Sequence, residues 1–214
     1  MKTEFDLLKS DRFRARPAMW LGKKSISSLR IFLDGFWTYQ YLNGVETDSN
    51  LPFWLFQPYV QNYYKSTPYD NKGYSWNGLI LLQCGENESE ALDKFFELFD
   101  EFQNIKIITA SIAIIKTSEI NFFQTQNSIH RRYYIEHNEV DYGPAERIYI
   151  IEYSNNFGCV LYRRFHNLEV DSDFFTSTRE AKQRIRMEYG DNTTWASSEV
   201  AVALSGLYVK ASAD

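Results

Sequence analysis

Cysteine is scarce in this chain, with only Cys84 and Cys159 among 214 residues. The two lie far apart and neither has a C-x-x-C neighbour, which excludes a disulfide framework and leaves no thiol pair for zinc or redox chemistry. Histidine is almost as rare. His130, His137 and His166 form no H-x-H or H-x-x-x-H pair, and the odd interval between the first two puts them on opposite faces of an unbroken strand, so they read as structural or solvated residues. No G-x-S-x-G elbow, Walker loop or G-x-G-x-x-G turn occurs. The expectation is therefore a protein that is not an enzyme, with no catalytic residue, no metal and no cofactor. Long apolar runs are missing too. No window approaches the roughly 18 apolar residues of a membrane span, and the opening MKTEFDLLKSDRFRARP lacks the apolar stretch of a signal peptide. A reduced, cytoplasmic protein with no membrane contact is expected. Positive charge is also in deficit: 23 Lys and Arg against 28 Asp and Glu leave a net charge of -5. Such a balance disfavours nucleic acid, whose phosphates need a basic face, and suits a basic protein partner.

Aromatic residues are what the chain has in plenty, 17% of it, from 16 Phe, 15 Tyr and 5 Trp. Such side chains are core material first and interface material second. At 44% hydrophobic and 24% charged the rest is ordinary globular usage, and the length buries a sizeable core.

Periodicity divides the chain into a mainly helical region, 1-104, and an antiparallel sheet with a C-terminal helix, 105-214, read together as one continuous domain. Ser25, Ser27 and Ser28 offer caps to a helix ending near Gly44, with Leu29, Phe32, Leu33 and Phe36 as its apolar stripe. Gly35 interrupts it, which suggests close packing against a neighbour. A second helix is entered near Pro52 or Pro58 and runs to Tyr64. The stretch 66-73 is a loop, and a short apolar element spans 76-84. The clearest helix carries Leu92, Phe95, Phe96, Phe99 and Phe102, with Glu88 and Glu90 suited to its positive end. From Ile105 the runs 105-116, 129-136, 146-153 and 157-165 read as strands, the last two joined through Ser154-Asn155-Asn156 as a hairpin. Ser177-Thr178-Arg179-Glu180 fits a capping box, in which Ser177 caps the helix and Glu180 reaches back to the Ser177 amide. That helix stops at Gly190. The fold class is α+β: a helical N-terminal half packed with an antiparallel sheet plus a capping helix in the C-terminal half. Cys159, mid-strand, reads as a buried inert thiol. The pairs Arg131-Arg132 and Arg163-Arg164 read as surface salt-bridging residues.

The segment Arg16-Pro17-Ala18-Met19-Trp20-Leu21-Gly22 looks like the R-P-x-M-Y-I-G segment of the ATP-binding region in type II topoisomerases. Its following helix, however, has no Asn to hold magnesium, and the glycine-rich lid motifs are absent. Over about the first hundred residues, R-P-x-M-[YW]-L-G, a helix with F-L-D-G-[FY], an aromatic helix, Trp76 and E-[AS]-x-x-x-F-F-E-L-x-[DE]-F together resemble small bacterial proteins taken to be immunity proteins of polymorphic toxins. Phe174-Phe175-x-Ser177-x-x-Glu180-Ala181 is also frequent in such proteins. The resemblance implies an immunity protein that binds and neutralises a cognate toxin domain by direct contact in bacterial competition. The alternatives are a regulatory or ligand-binding module, or an enzyme with a scattered site. A tight inhibitor needs aromatic anchors ringed by polar contacts. Residues outside the periodic stripes are the candidates for partner binding: Tyr63, Tyr64, Tyr69 and Tyr74 around the first long loop, and Glu136, Glu139, Asp141 and Tyr142 around the second.

Overall fold

The change of periodicity near residue 104 is also a boundary in space. The computed structural model divides into two compact units, Met1–Asn104 and Ile105–Asp214, each with its own core. The structure describes residues 4-43, 51-65, 73-114, 132-135, 138-141, 145-165, 170-190 and 193-198. The fold is α+β, with helices mainly in the first unit and strands in the second.

Unit 1 holds α1 (Glu4–Lys9), α2 (Asp11–Ala15), α3 (Ala18–Leu21), α4 (Ile26–Leu42), a 3-10 turn (Phe53–Leu55), α5 (Phe56–Tyr63), α6 (Trp76–Gln83) and α7 (Glu88–Phe102). The apolar element at Trp76 is thus a helix. Helix α7 forms because Asn87 accepts from the amides of Ser89 and Glu90, satisfying two donors of its first turn. Its stripe of Leu92, Phe95, Phe99 and Phe102 is fully buried. Phe56 meets that stripe edge-on, with centroids 5.3 Å from Phe95 and 5.4 Å from Phe102, and Trp76 closes the cluster at 5.7 Å from Phe56. Each buried Phe stabilises by roughly 1.5-3 kcal/mol through area alone.

Ser25 caps α4 by accepting from the Ser28 amide at 3.1 Å. The same hydroxyl donates to Glu88 at 2.7 Å, and Ser27 donates to Glu88 through its hydroxyl at 2.6 Å and its amide at 3.0 Å. One carboxylate at the start of α7 therefore also serves the start of α4, where both helix dipoles favour it. Burial pushes the Glu88 carboxyl up, but the hydrogen bonds from Ser27 and Ser25, with the charge of Lys23, outweigh it and hold the pKa below its ordinary value. On α4 Leu29 and Leu33 are buried and Phe32 and Phe36 half-buried. Gly35 does not pack closely against anything. It is exposed, and a Cβ there would meet no atom within 4 Å.

Unit 2 is built on a five-stranded antiparallel sheet in the order β6-β5-β4-β1-β7, from β1 (Ile107–Ile114), β4 (Arg147–Tyr153), β5 (Gly158–Arg164), β6 (Val170–Phe175) and β7 (Trp195–Ser198). A separate ribbon pairs β2 (Arg132–Ile135) with β3 (Asn138–Asp141). The β4-β5 hairpin turns on Asn155 and Asn156 at φ 61° and 53°, closed by the Phe157 amide donating to the Ser154 carbonyl at 3.1 Å. Two successive left-handed residues match strand twist, which is why Asn-Asn works there. Helix α8 (Thr178–Tyr189) lies on one sheet face, burying Ala181, Ile185 and Tyr189 with Ile148, Ile150, Cys159 and Leu161. Ser177 caps α8 by accepting from the Glu180 amide at 3.3 Å. The return arm of the expected box is replaced, since Glu180 accepts from the Thr176 hydroxyl at 2.6 Å instead.

Candidate functional site

The tyrosines picked out near the first loop divide between surface and core. Tyr63 ends α5 with 45% of its surface exposed, and Lys94 Nζ stands 5.3 Å from its ring centroid. Tyr74 is similarly open, and its position is set by Gln57. That amide donates to the Tyr74 carbonyl at 2.9 Å and accepts from the Trp76 amide at 2.6 Å, clamping the entry to α6. Tyr64, by contrast, is buried and leaves the surface set. It continues the spacing of buried Phe56 and Val60 at i, i+4 and i+8, so helical geometry carries it inward one residue past the helix end. Burial is the main cause that pushes its hydroxyl pKa up to about 12.

Glu139 and Asp141 stand on strand β3, opposite Tyr134 and Arg132, and not in a loop. Tyr69, Glu136 and Tyr142 lie outside the described residues, as do the three histidines and Arg131.

A second surface feature lies in the R-P-x-M-W-L-G segment. Pro17 starts α3, and Gly22, left-handed at φ 77°, ends it after a single turn. Four residues are too few to turn an apolar face inward, and none of the four is buried. Met19 is 71% and Trp20 44% exposed. With Arg12, Ala15 and Arg16 they line a cleft of about 410 Å³. Phe13, buried beneath, places its ring 6.2 Å from that of Trp20 and so supports the indole from one side. The three arginines of this stretch sort by helical angle. Arg14 turns to α7, where it forms a two-pronged pair with Asp100 at 2.7 and 2.6 Å and lies 5.0 Å from the Phe96 centroid. Arg12 and Arg16, four apart, are exposed at the cleft and make no ion pair among the described residues. Sequence reading missed this site. The signal was present in the i, i+4 arginines beside a helix bracketed too tightly by Pro17 and Gly22 to bury Trp20.

The third polar concentration is internal. Arg163 is not a surface residue: it is 2% exposed and held on the α8 side of the sheet. Its guanidinium donates to Glu188 at 2.9 and 2.8 Å, to Asp173 at 2.7 Å and to Asp171 at 3.3 Å, and Arg184 adds a 2.6 Å bond to Glu188. Burial lowers the Arg163 pKa, but the bonds and charges of Glu188 and Asp173 more than reverse that, so it stays charged. Arg163 and Glu188 at its centre are buried and hydrogen-bonded, with Asp173 and Arg184 at its solvated edge, which makes the cluster a structural tie between β5, β6 and α8. Cys159 is fully buried, and desolvation pushes its thiol up to about 12, so a nucleophilic thiolate does not form there.

Among the described residues no group of three or more His, Cys, Asp or Glu is placed to hold a metal ion, and no helix is long and apolar enough to cross a membrane. Comparisons with family models, curated proteins and solved structures find no match.

Proposed function

We propose that this protein is an immunity protein, which binds a cognate bacterial toxin domain and neutralises it by direct protein contact. The observation that carries this reading is the solvent exposure of Met19 and Trp20 beside Arg12 and Arg16, within the segment whose sequence resembles immunity proteins. Trp and Arg are the residues most enriched at interface hot spots, and an indole supported on one side by Phe13 loses little freedom when a partner covers its open face. Tyr63 and Tyr74 are further exposed aromatic residues of the same unit. A net charge of -5 favours encounter with a basic toxin through long-range steering.

The test is co-expression with the toxin domain encoded by the neighbouring gene. Growth should be rescued, the two purified proteins should co-elute, and Trp20→Ala should weaken the complex by about tenfold or more, the range of a hot-spot truncation. A neighbouring gene without such a domain, or growth arrest that persists while the folded protein is present in excess, sinks the proposal.

A further inference from the structure

We infer that the cleft between α2 and α3 receives a peptide segment of a protein partner in which a carboxylate stands next to a large apolar side chain. The inference rests on reading this cleft as a protein-binding surface, and not on that partner being a toxin.

The cleft has two chemically distinct walls. Arg12, within α2, and Arg16, the residue that ends it, both line the cleft. Both residues are exposed and make no ion pair among the described residues, whereas Arg14 between them is engaged by Asp100. A planar guanidinium matches a carboxylate through two parallel hydrogen bonds, and two of them in register can grip one or two acidic side chains. The other wall is the Trp20 indole and the Met19 thioether. Methionine adapts its shape to an incoming apolar group, and the indole offers a flat face already fixed by Phe13. A cleft of about 410 Å³ has room for a few side chains and not for a folded element.

The occupant follows by charge complementarity. An anionic group satisfies the arginines, an apolar group covers the indole and thioether, and an extended acidic-apolar segment supplies both within the span of the cleft. A nucleic-acid backbone also carries anions, but it needs a run of cationic side chains along its length, and only two arginines line this cleft.

The experiment is selection of a phage-displayed dodecapeptide library on the immobilised full-length protein, with the Arg12→Glu/Arg16→Glu/Trp20→Ala variant as counter-selection. Enriched peptides are expected to carry Asp or Glu beside Phe, Trp, Leu or Met. For the best of them, labelled and titrated by fluorescence polarisation, Arg12→Glu/Arg16→Glu should weaken binding at least about tenfold and Trp20→Ala by a similar factor. Raising salt should weaken binding to the wild-type protein and strengthen the residual binding to the charge-reversed one, where it screens repulsion. Arg12 and Arg16 are exposed, so circular dichroism and melting temperature should hold for their variant; Trp20→Ala gives up its contact with Phe13, so its circular dichroism should hold while its melting temperature falls slightly, and Thr38→Ala, on the exposed face of α4, serves as the neutral control. Enriched peptides without an acidic excess, equal binding to the variants, or no peptide that prefers the wild-type protein would each overturn the inference. Because the library contains no toxin, its outcome is independent of the rescue assay.

Discussion

Replacing Glu188 by Gln keeps the shape of the side chain and removes its charge, which isolates what the buried ion cluster contributes to unit 2. In the native protein Glu188 is 4% exposed and receives two bonds from Arg163, at 2.9 and 2.8 Å, and one from Arg184 at 2.6 Å. The variant leaves the Arg163 guanidinium buried with Asp171 and Asp173 as its remaining counter-charges, and an amide NH2 turned towards it. Breaking a buried pair costs about 3-5 kcal/mol. The lower end applies here because Asp173, at 33% exposed, still neutralises part of the charge from a partly solvated position. Arg163→Met should sit at the upper end, since it strands Glu188 with only Arg184, itself 44% exposed, and releases Asp171 as well. The double variant Arg163→Met/Glu188→Gln should lose less than the sum of the two single variants, giving a coupling energy of roughly 2 kcal/mol. The assay is urea denaturation of the full chain followed by circular dichroism, in which the shift belongs to the transition that removes β-structure, because two units need not unfold together. If both single variants lower the unfolding free energy by less than about 1 kcal/mol, the cluster is worth no more than an exposed ion pair and the argument from burial fails.

Gly35→Ala should raise stability by about 0.5-1 kcal/mol in thermal melts, because the site is helical, exposed and empty around a new Cβ. A loss of stability there would show that α4 is packed at that position. Gly158→Ala should cost roughly 2-4 kcal/mol, since φ is 128° and the new Cβ would stand 2.8 Å from Phe174 Cζ, with the Phe175 carbonyl closer still. Glu88 has a lowered folded pKa, so its contribution is complete above its ordinary value near 4.5 and disappears as pH falls through the lowered one. Glu88→Gln should therefore lose about 1-2 kcal/mol at pH 7, with the gap to wild type closing in melts below pH ~4.5; a gap constant down to pH ~2 would contradict the assignment. In native protein at pH 8, a thiol reagent should label half-buried Cys84 and leave Cys159 unmodified until denaturant is added.

Legibility in the sequence followed the strength of local pattern. Helix α7 and the β4-β5 hairpin could be read because their signals are local: an unbroken 3.6-residue stripe, and two Asn between alternating runs. Strand β6, Val-Asp-Ser-Asp-Phe-Phe, could not be, because Asp171 and Asp173 occupy the positions that face α8, where a sequence reader looks for apolar residues. They face it only because Arg163, opposite Asp171 on β5, is there to receive them, and that is a pairing no single segment reveals. The same long-range partnership hid Arg163 itself, which by composition belongs on the surface. At the candidate site, Tyr63 and Tyr74 were recognisable as lying outside core stripes, whereas Tyr64 was grouped with the loop that follows although it continues the i, i+4, i+8 spacing of Phe56 and Val60. Trp20 was not legible because its exposure is set by a four-residue helix with Phe13 beside the indole, which an aromatic residue's type and spacing do not reveal.

Sharing Glu88 between two helix starts ties events that are usually separate. Fraying of the first turn of α4 deprives Glu88 of all three of its serine donors, and unwinding the start of α7 removes the acceptor that orders Ser25 and Ser27. The two ends should therefore open as one unit in hydrogen exchange, with the amide of Ser27 losing protection at the same rate as those of Ser89 and Glu90 although the segments lie 61 or more residues apart in the chain.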